Sequence, residues 1–207
     1  MRTPGVDHLV VATSALETGV PSLTDRLGVG PSGPGRHERF GTHNALWNLD
    51  DGAYLELIAI DPEAAAPGRP RWFGLDRFAG PTRLVHWVLR RADLRAPFVP
   101  EHGATSRLAR DDLRWSLTTP VDGSFPVDGS GVWPSLIAWD GAHPSSGLGH
   151  DGLALRRLVL STPSADALRA RLVEAGLTGH LGSRVTVTPG PVGLRAELST
   201  PGGPVVL

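Results

Sequence analysis

Two histidines, His8 and His86, stand 78 residues apart in matching settings, and Glu56 and Ser135 stand 79 apart in a second matched pair. His8-Leu9-Val10-Val11 followed by Leu16 parallels His86-Trp87-Val88-Leu89 followed by Leu94, and Leu57-Ile58-Ala59-Ile60-Asp61 parallels Leu136-Ile137-Ala138-Trp139-Asp140. Imidazoles and carboxylates are the groups that move protons near neutral pH or hold divalent cations. Glu56 is the most demanding of the four. It interrupts the apolar run Tyr54-Leu55-Glu56-Leu57-Ile58-Ala59-Ile60, and burying an unpaired carboxylate costs on the order of several kcal/mol. A cation, an arginine such as Arg90, or a water-filled cup would satisfy it. With no cysteine in the chain, thiol nucleophiles, disulfides and thiolate metal sites are excluded, and any metal falls to His, Asp and Glu.

The elements that must position these residues repeat as well, which makes repetition the governing feature of the fold. Val6 to Ala12 alternates as a strand. Ser14 with Glu17 suits a capping box ahead of a helix carrying Leu16, Val20, Leu23 and Leu27, weakened by Pro21. Gly28 to Gly35 reads as loop. Thr42 to Leu49 and Ala53 to Ile60 flank Asp50-Asp51-Gly52, a strong hairpin signal. A strand from Leu84 to Arg90 opens the second round, followed by a proline-broken Asp93 to Pro100, a strand pair near Leu113 to Thr119, and Trp133 to Trp139. A weaker third echo begins at Arg157-Leu158-Val159-Leu160, within a strand Leu155 to Ser161. Thr162 is its expected N-cap with Pro163 at the first helical position, then a helix stripe of Leu168, Leu172 and Leu177, a stop near Gly176, and short strands Val185 to Thr188, Val192 to Ser199 and Val205 to Leu207. The expected organisation is a first βαβββ unit over 1–62, a linker over 63–81, a second unit over 82–145 and a third, shorter unit over 150–207. The fold class is α+β, with the repeated units forming cupped mixed sheets and a shorter βαβ-type unit at the C-terminus.

A net charge of −1 with interspersed signs gives no basic stripe for nucleic acid and no polybasic face for a membrane. No apolar run approaches bilayer length, and the N-terminus enters a strand pattern without the regions of a secretory leader, so the cytoplasm is the expected compartment. No GxGxxG after a strand, P-loop, GxSxG elbow or HExxH occurs, which leaves nucleotide, serine-hydrolase and zinc-protease chemistry without local support.

The order of elements, with His early in strand one and Tyr54-Leu55-Glu56-Leu57 in strand four, resembles the vicinal oxygen chelate superfamily. More closely, Gly41-Thr42-His43-Asn44-Ala45-Leu46, Tyr54 to Pro62, His86-Trp87-Val88-Leu89-Arg90, Pro134 to Trp139 and His143-Pro144 resemble the glyoxalase-like domain family over most of residues 4 to 145. That resemblance implies a cupped sheet around a pocket, with ligands from strands one and four of both units. His8, Glu56 and His86 would then hold a divalent metal ion (Fe, Mn, Ni, Zn or Co), and Ser135 takes a position where a metal-binding carboxylate is expected. It implies a metal-dependent lyase, isomerase or dioxygenase acting on a small oxygenated organic molecule, with Trp47, Tyr54, Ser135 and Trp139 toward the substrate and His43 as a candidate proton carrier. The alternative it offers is a metal-free protein that binds and sequesters a small molecule, as bleomycin-resistance proteins do.

Blander readings stand beside these. His43 reads first as a hydrogen-bonding residue near a strand start, His143-Pro144 as turn chemistry, and His37, His102 and His180 as polar loop residues without a role. If the first unit pairs with the third instead of the second, Arg157 replaces His86 in the cup and the metal site is lost. The odd unit would cap the cup or pair across a homodimer axis.

Overall fold

The computed structural model describes residues 5–50, 52–94 and 102–207. In chain order the elements are β1 (Gly5–Ala12), α1 (Leu16–Leu27), β2 (Pro34–His37), β3 (Thr42–Leu49), β4 (Ala53–Ile60), β5 (Arg83–Arg90), β6 (Ala104–Arg110), β7 (Leu113–Thr119), β8 (Ser135–Trp139), β9 (Ala154–Thr162), α2 (Ala165–Glu174), α3 (Thr178–Leu181), β10 (Val185–Pro189), β11 (Gly193–Thr200) and β12 (Gly203–Val206). Eight strands form one mixed sheet in the order β2-β3-β4-β1-β5-β8-β7-β6, and four form a second in the order β10-β9-β11-β12. β1 runs parallel to β4 and antiparallel to β5, and β5 runs parallel to β8. The two strands that carry His8 and His86 therefore lie side by side at the centre of the large sheet. β9, with Arg157, sits in the other sheet, so the pairing that would bring Arg157 to the cup does not form.

Both faces of the large sheet are covered, which is why β1 and β4 read as nearly continuous apolar runs. On the convex side Leu9, Val11, Trp47, Leu55, Leu57 and Trp87 pack with Leu23 and Leu27 of α1 and with Leu158, Leu160 and Leu198 of the small sheet. On the concave side Val10, Ile58, Val88 and Ile137 pack with Phe40, Trp72, Phe73 and Trp115. The sheet curls until its edge strands β2 and β6 approach each other. Arg110 at the end of β6 reaches Asn44 of β3, and Arg39 just past β2 donates to the carbonyl of Arg107.

The helix starts differ from the sequence signals. α1 begins after Ala15 with no side-chain cap, so the Ser14–Glu17 box does not form, and the helix continues through Pro21 to a left-handed Gly28. Thr162 is the last residue of β9, and its hydroxyl accepts the Ser164 N–H one step ahead of α2. Tertiary packing of Leu23, Leu27 and Leu172 outweighs the cap preferences. Residues 95–101, most of the proline-broken stretch, lie outside the described residues. No helix among the described residues is long and apolar enough to cross a membrane.

Candidate active site

A bulge in β1 starts the site. The β1–β5 register passes from Val6 to His8 and skips Asp7, which lets two successive side chains work together. Asp7 is fully buried. His8 Nδ1–H donates to its Oδ1 at 2.8 Å, and its Oδ2 accepts from Trp139 Nε1–H and His143 Nε2–H, both at 3.0 Å. His143 Nδ1 accepts the Ser145 N–H at 3.2 Å, which assigns the ring proton to Nε2. Burial alone would raise the Asp7 pKa, but the hydrogen bonds from His143 and His8 hold it well below the usual carboxylate range. His143 thus caps its own turn, as its sequence context suggests, and also supports the site.

With Nδ1 committed to Asp7, His8 presents Nε2 to the cup. Tyr54 stacks under the ring at 4.5 Å and 17°, and burial pushes the Tyr54 hydroxyl well above its ordinary pKa. Glu56 Oε2 lies 3.7 Å from His8 Nε2. Its Oε1 accepts Asn44 Nδ2–H at 2.6 Å, and Asn44 Oδ1 accepts from Arg110 at 3.3 Å. The buried carboxylate is therefore satisfied by an amide on the neighbouring strand, whereas Arg90 donates to the Gly52 carbonyl and lies near Asp7.

His86 does not join His8 and Glu56. It pairs across the sheet with Val10, whereas His8 pairs with Val88. Its Nδ1–H donates to the Gly131 carbonyl at 3.0 Å, and its Nε2 receives the Ser135 N–H at 3.1 Å with the Ser135 hydroxyl at 3.0 Å. The ring is fully buried between Phe73 and Phe125. Burial and the nearby His8 push its pKa down to about 3, against the Gly131 hydrogen bond that raises it. Both nitrogens are occupied, so a three-residue metal site of His8, Glu56 and His86 does not fit this arrangement. Among the described residues no group of three or more His, Asp or Glu side chains is disposed to hold a metal ion. Ser135 is fully buried as the partner of His86 and is not among the residues lining the cavity beside His8.

The other expected residues divide by strand parity. Tyr54 and Trp139 line the cup. His43 and Trp47 alternate with Asn44 and Leu46, on the convex side with Ala45 and Leu49, and Trp47 is fully buried with its indole N–H on the Val29 carbonyl. The hairpin itself carries the signal that would have placed them. With Leu49 opposite Ala53, Leu46 falls opposite Glu56, so Leu46 and Asn44 share its face and His43 does not. His102 is buried as the acceptor of the Trp133 indole N–H, and the His180 side chain lies outside the described residues.

Sequence reasoning missed Asn44, His37 and Arg110. Asp7 was visible in the Asp7-His8 pair, but nothing local marked His37 or Arg110. A cavity of about 30 Å³ beside His8, Tyr54 and Glu56 adjoins an open cleft of about 620 Å³ between β2 and β6, and the two share His37, Trp72, Arg110 and Trp115 as a neck. His37 Nδ1–H donates to the Thr42 hydroxyl at 3.2 Å. Burial first, then Arg110, His8 and His43, push its pKa down to about 3, so its ring is neutral.

This cup is matched by sequence over most of the chain: residues 6–176 fit the family model described as a glyoxalase-like domain. The chain belongs to the glyoxalase-like domain family. That family is part of the vicinal oxygen chelate superfamily. The match extends beyond residue 145 into β9 and α2. No curated protein matches the chain. The glyoxalase-like fold is similar to that of a hypothetical protein from Staphylococcus aureus, at a TM-score of 0.64 and 14% identity, over 92% of this chain and 88% of that one. Methylmalonyl-CoA epimerase from Mycobacterium tuberculosis aligns at a TM-score of 0.43 and 19% identity, over 69% of this chain and 91% of that one. A variant of the Streptomyces coelicolor methylmalonyl-CoA epimerase, in complex with 2-nitronate-propionyl-CoA, aligns at 0.45 and 18%, over 68% and 100%.

Proposed function

We propose that this glyoxalase-like protein is an enzyme that moves a proton on a small oxygenated organic substrate, in an isomerase- or lyase-type reaction with His8 as the base. The observation that carries the reading is the buried Asp7–His8 pair, whose Nδ1–H is fixed at 2.8 Å while Nε2 faces the cavity beside Glu56. His8 Nε2 takes a proton from a carbon next to a carbonyl, and the C–H electron pair moves into that carbonyl to give an enolate. Asp7 and Glu56 flank the imidazolium that forms and stabilise it. The proton then returns to the same carbon, or, where that carbon carries a hydroxyl, the hydroxyl loses its proton to become the new carbonyl while the former carbonyl carbon is protonated; alternatively the enolate re-forms its carbonyl and expels a group from the adjacent carbon.

The 3.7 Å between His8 Nε2 and Glu56 Oε2 bears on the stereochemistry. Two bases on opposite faces of one carbon stand about 6 Å apart, since each contact needs about 3 Å. Here both groups reach the substrate from one side, which favours same-face transfer.

The test is deuterium incorporation from D2O into 2-oxobutanoate, levulinate and 2-oxoglutarate, followed by proton NMR, with EDTA and after loading with Mn, Fe, Co, Ni or Zn. Exchange is expected with EDTA present and is expected to fall by about 100-fold or more in His8→Asn. Exchange that requires added metal, equal exchange in H8N, or no exchange above buffer overturns the reading. A second reading, binding without turnover, is favoured by the width of the outer cleft and its walls of Phe40, Trp72 and Trp115. Saturable tryptophan quenching by the same acids without exchange supports it.

A further inference from the structure

We infer that Arg110 and Trp72, at the neck between the cavity and the cleft, form an anion subsite that takes the carboxylate of the substrate and leaves its reactive carbon against His8. The inference rests on the proton-transfer reading and adds the substrate class, a carboxylic acid.

Three observations meet at the neck. First, the Arg110 side chain is only 17% exposed, and its nearest carboxylate contact among the described residues is Asp111 Oδ2, 3.9 Å from Nε and itself 89% exposed. Its contacts inside the neck are long: 3.3 Å to Asn44 Oδ1 and 3.5 Å to His37 Nε2. A largely covered guanidinium without a close carboxylate calls for an anion, which its planar fork binds through two parallel hydrogen bonds. Secondly, Trp72 is 3% exposed, and its indole N–H has no hydrogen-bond partner among the described residues. Buried indole N–H groups are normally paired, and leaving one unmade costs about 1–3 kcal/mol. Trp72 walls the cavity and the cleft alike, and also a second cleft beside Pro70 and Thr119; the subsite assigns the acceptor that this donor lacks to the neck, where Arg110 is the cation.

Thirdly, the other cations of the cleft are already engaged. Arg36 is paired with Asp61 at 3.1 Å and Glu63 at 2.6 Å, and Arg39 donates to the Arg107 carbonyl at 3.1 Å. Asp7 and Glu56 deeper in the cup repel a substrate anion from the floor, so a carboxylate rests at the neck and the rest of the molecule points inward. Gly35 makes room for this cation, since a Cβ there would sit 2.0 Å from Arg110 Nη1.

The experiment titrates ¹⁵N-labelled full-length protein with benzoate and 2-oxobutanoate, each against its neutral amide, and follows the indole N–H signals. The signal missing from Trp72→Phe is expected to shift saturably with either acid and not with its amide. Arg110→Gln is expected to weaken the acid by about ten-fold or more, and Arg110→Lys by less. The remaining indole signals report whether each variant is folded. Equal shifts with acid and amide, undiminished acid binding in R110Q, or no saturable shift of the Trp72 signal overturns the subsite. His8→Asn separates the two proposals: acid binding retained with exchange lost supports both, and exchange retained in H8N with acid binding intact faults only the base.

Discussion

His86 should make the protein lose stability on mild acidification, and the size of that loss follows from its surroundings. The ring is fully buried, donates to Gly131, accepts from Ser135 and lies between two phenylalanines. Its pKa falls from 6.5 to about 3, chiefly through burial. The unfolded chain therefore binds a proton at this position between about pH 6.5 and pH 3 that the folded chain refuses, so folding stability rises with pH across that window. The contribution is complete above the unfolded value and is lost progressively as pH falls toward 3. From about pH 7.5 to about pH 5 the loss is about 2 kcal/mol, at 1.36 kcal/mol for each unit below 6.5. His86→Gln isolates it, because the amide can donate to Gly131 and accept from Ser135 but does not titrate. Urea unfolding of both proteins at the two pH values should show a loss about 2 kcal/mol smaller in H86Q, whatever its absolute stability. His37 moves in the same direction but is present in both proteins and cancels. Asp7, whose pKa is lowered, keeps its contribution until pH falls below the ordinary carboxylate value. Equal losses in the two proteins would refute the account of His86 as a neutral, satisfied core residue.

Two further outcomes concern the frame around the site. Asp7→Asn leaves one oxygen for donors from His8, His143 and Trp139; it should cost about 3 kcal/mol in urea unfolding and lower any His8-dependent exchange by about 100-fold. An unchanged midpoint would remove Asp7 as the anchor of the network. Gly131→Ala places a Cβ 2.2 Å from the Val85 carbonyl at a φ of 78°. It should destabilise by about 2 kcal/mol or more, seen as a lowered thermal midpoint, because the backbone that carries the His86 acceptor must move.

The legible parts of the fold were those governed by near neighbours. β3 and β4 match their expected bounds to the residue, because the short connection from Leu49 to its partner Ala53 sets both strands and their register locally. Glu56 stood out because a carboxylate inside an apolar strand contradicts its surroundings. What satisfies it was not legible in the same way. Arg90 was as good a sequence candidate as any, and the answer, Asn44, depends on strand parity across the hairpin. His37 and Arg110 escaped because each acquires meaning only when the sheet curls and brings its two edges together.

By itself the sequence determined most of the central strands, though not the edge strand β2, whose first two residues it read as loop, together with the two-fold recurrence of His8 and His86, the family, and the unusual position of Glu56. All of these are properties of local pattern and of spacing along the chain. Only the tertiary structure decided that Asp7 orients His8, that Ser135 and Gly131 occupy both nitrogens of His86, and that Arg110 closes over the cup. These depend on register between strands far apart in sequence. There a displacement of one residue pair, His86 opposite Val10 and not opposite His8, is enough to separate a histidine from the site its repeat position implies.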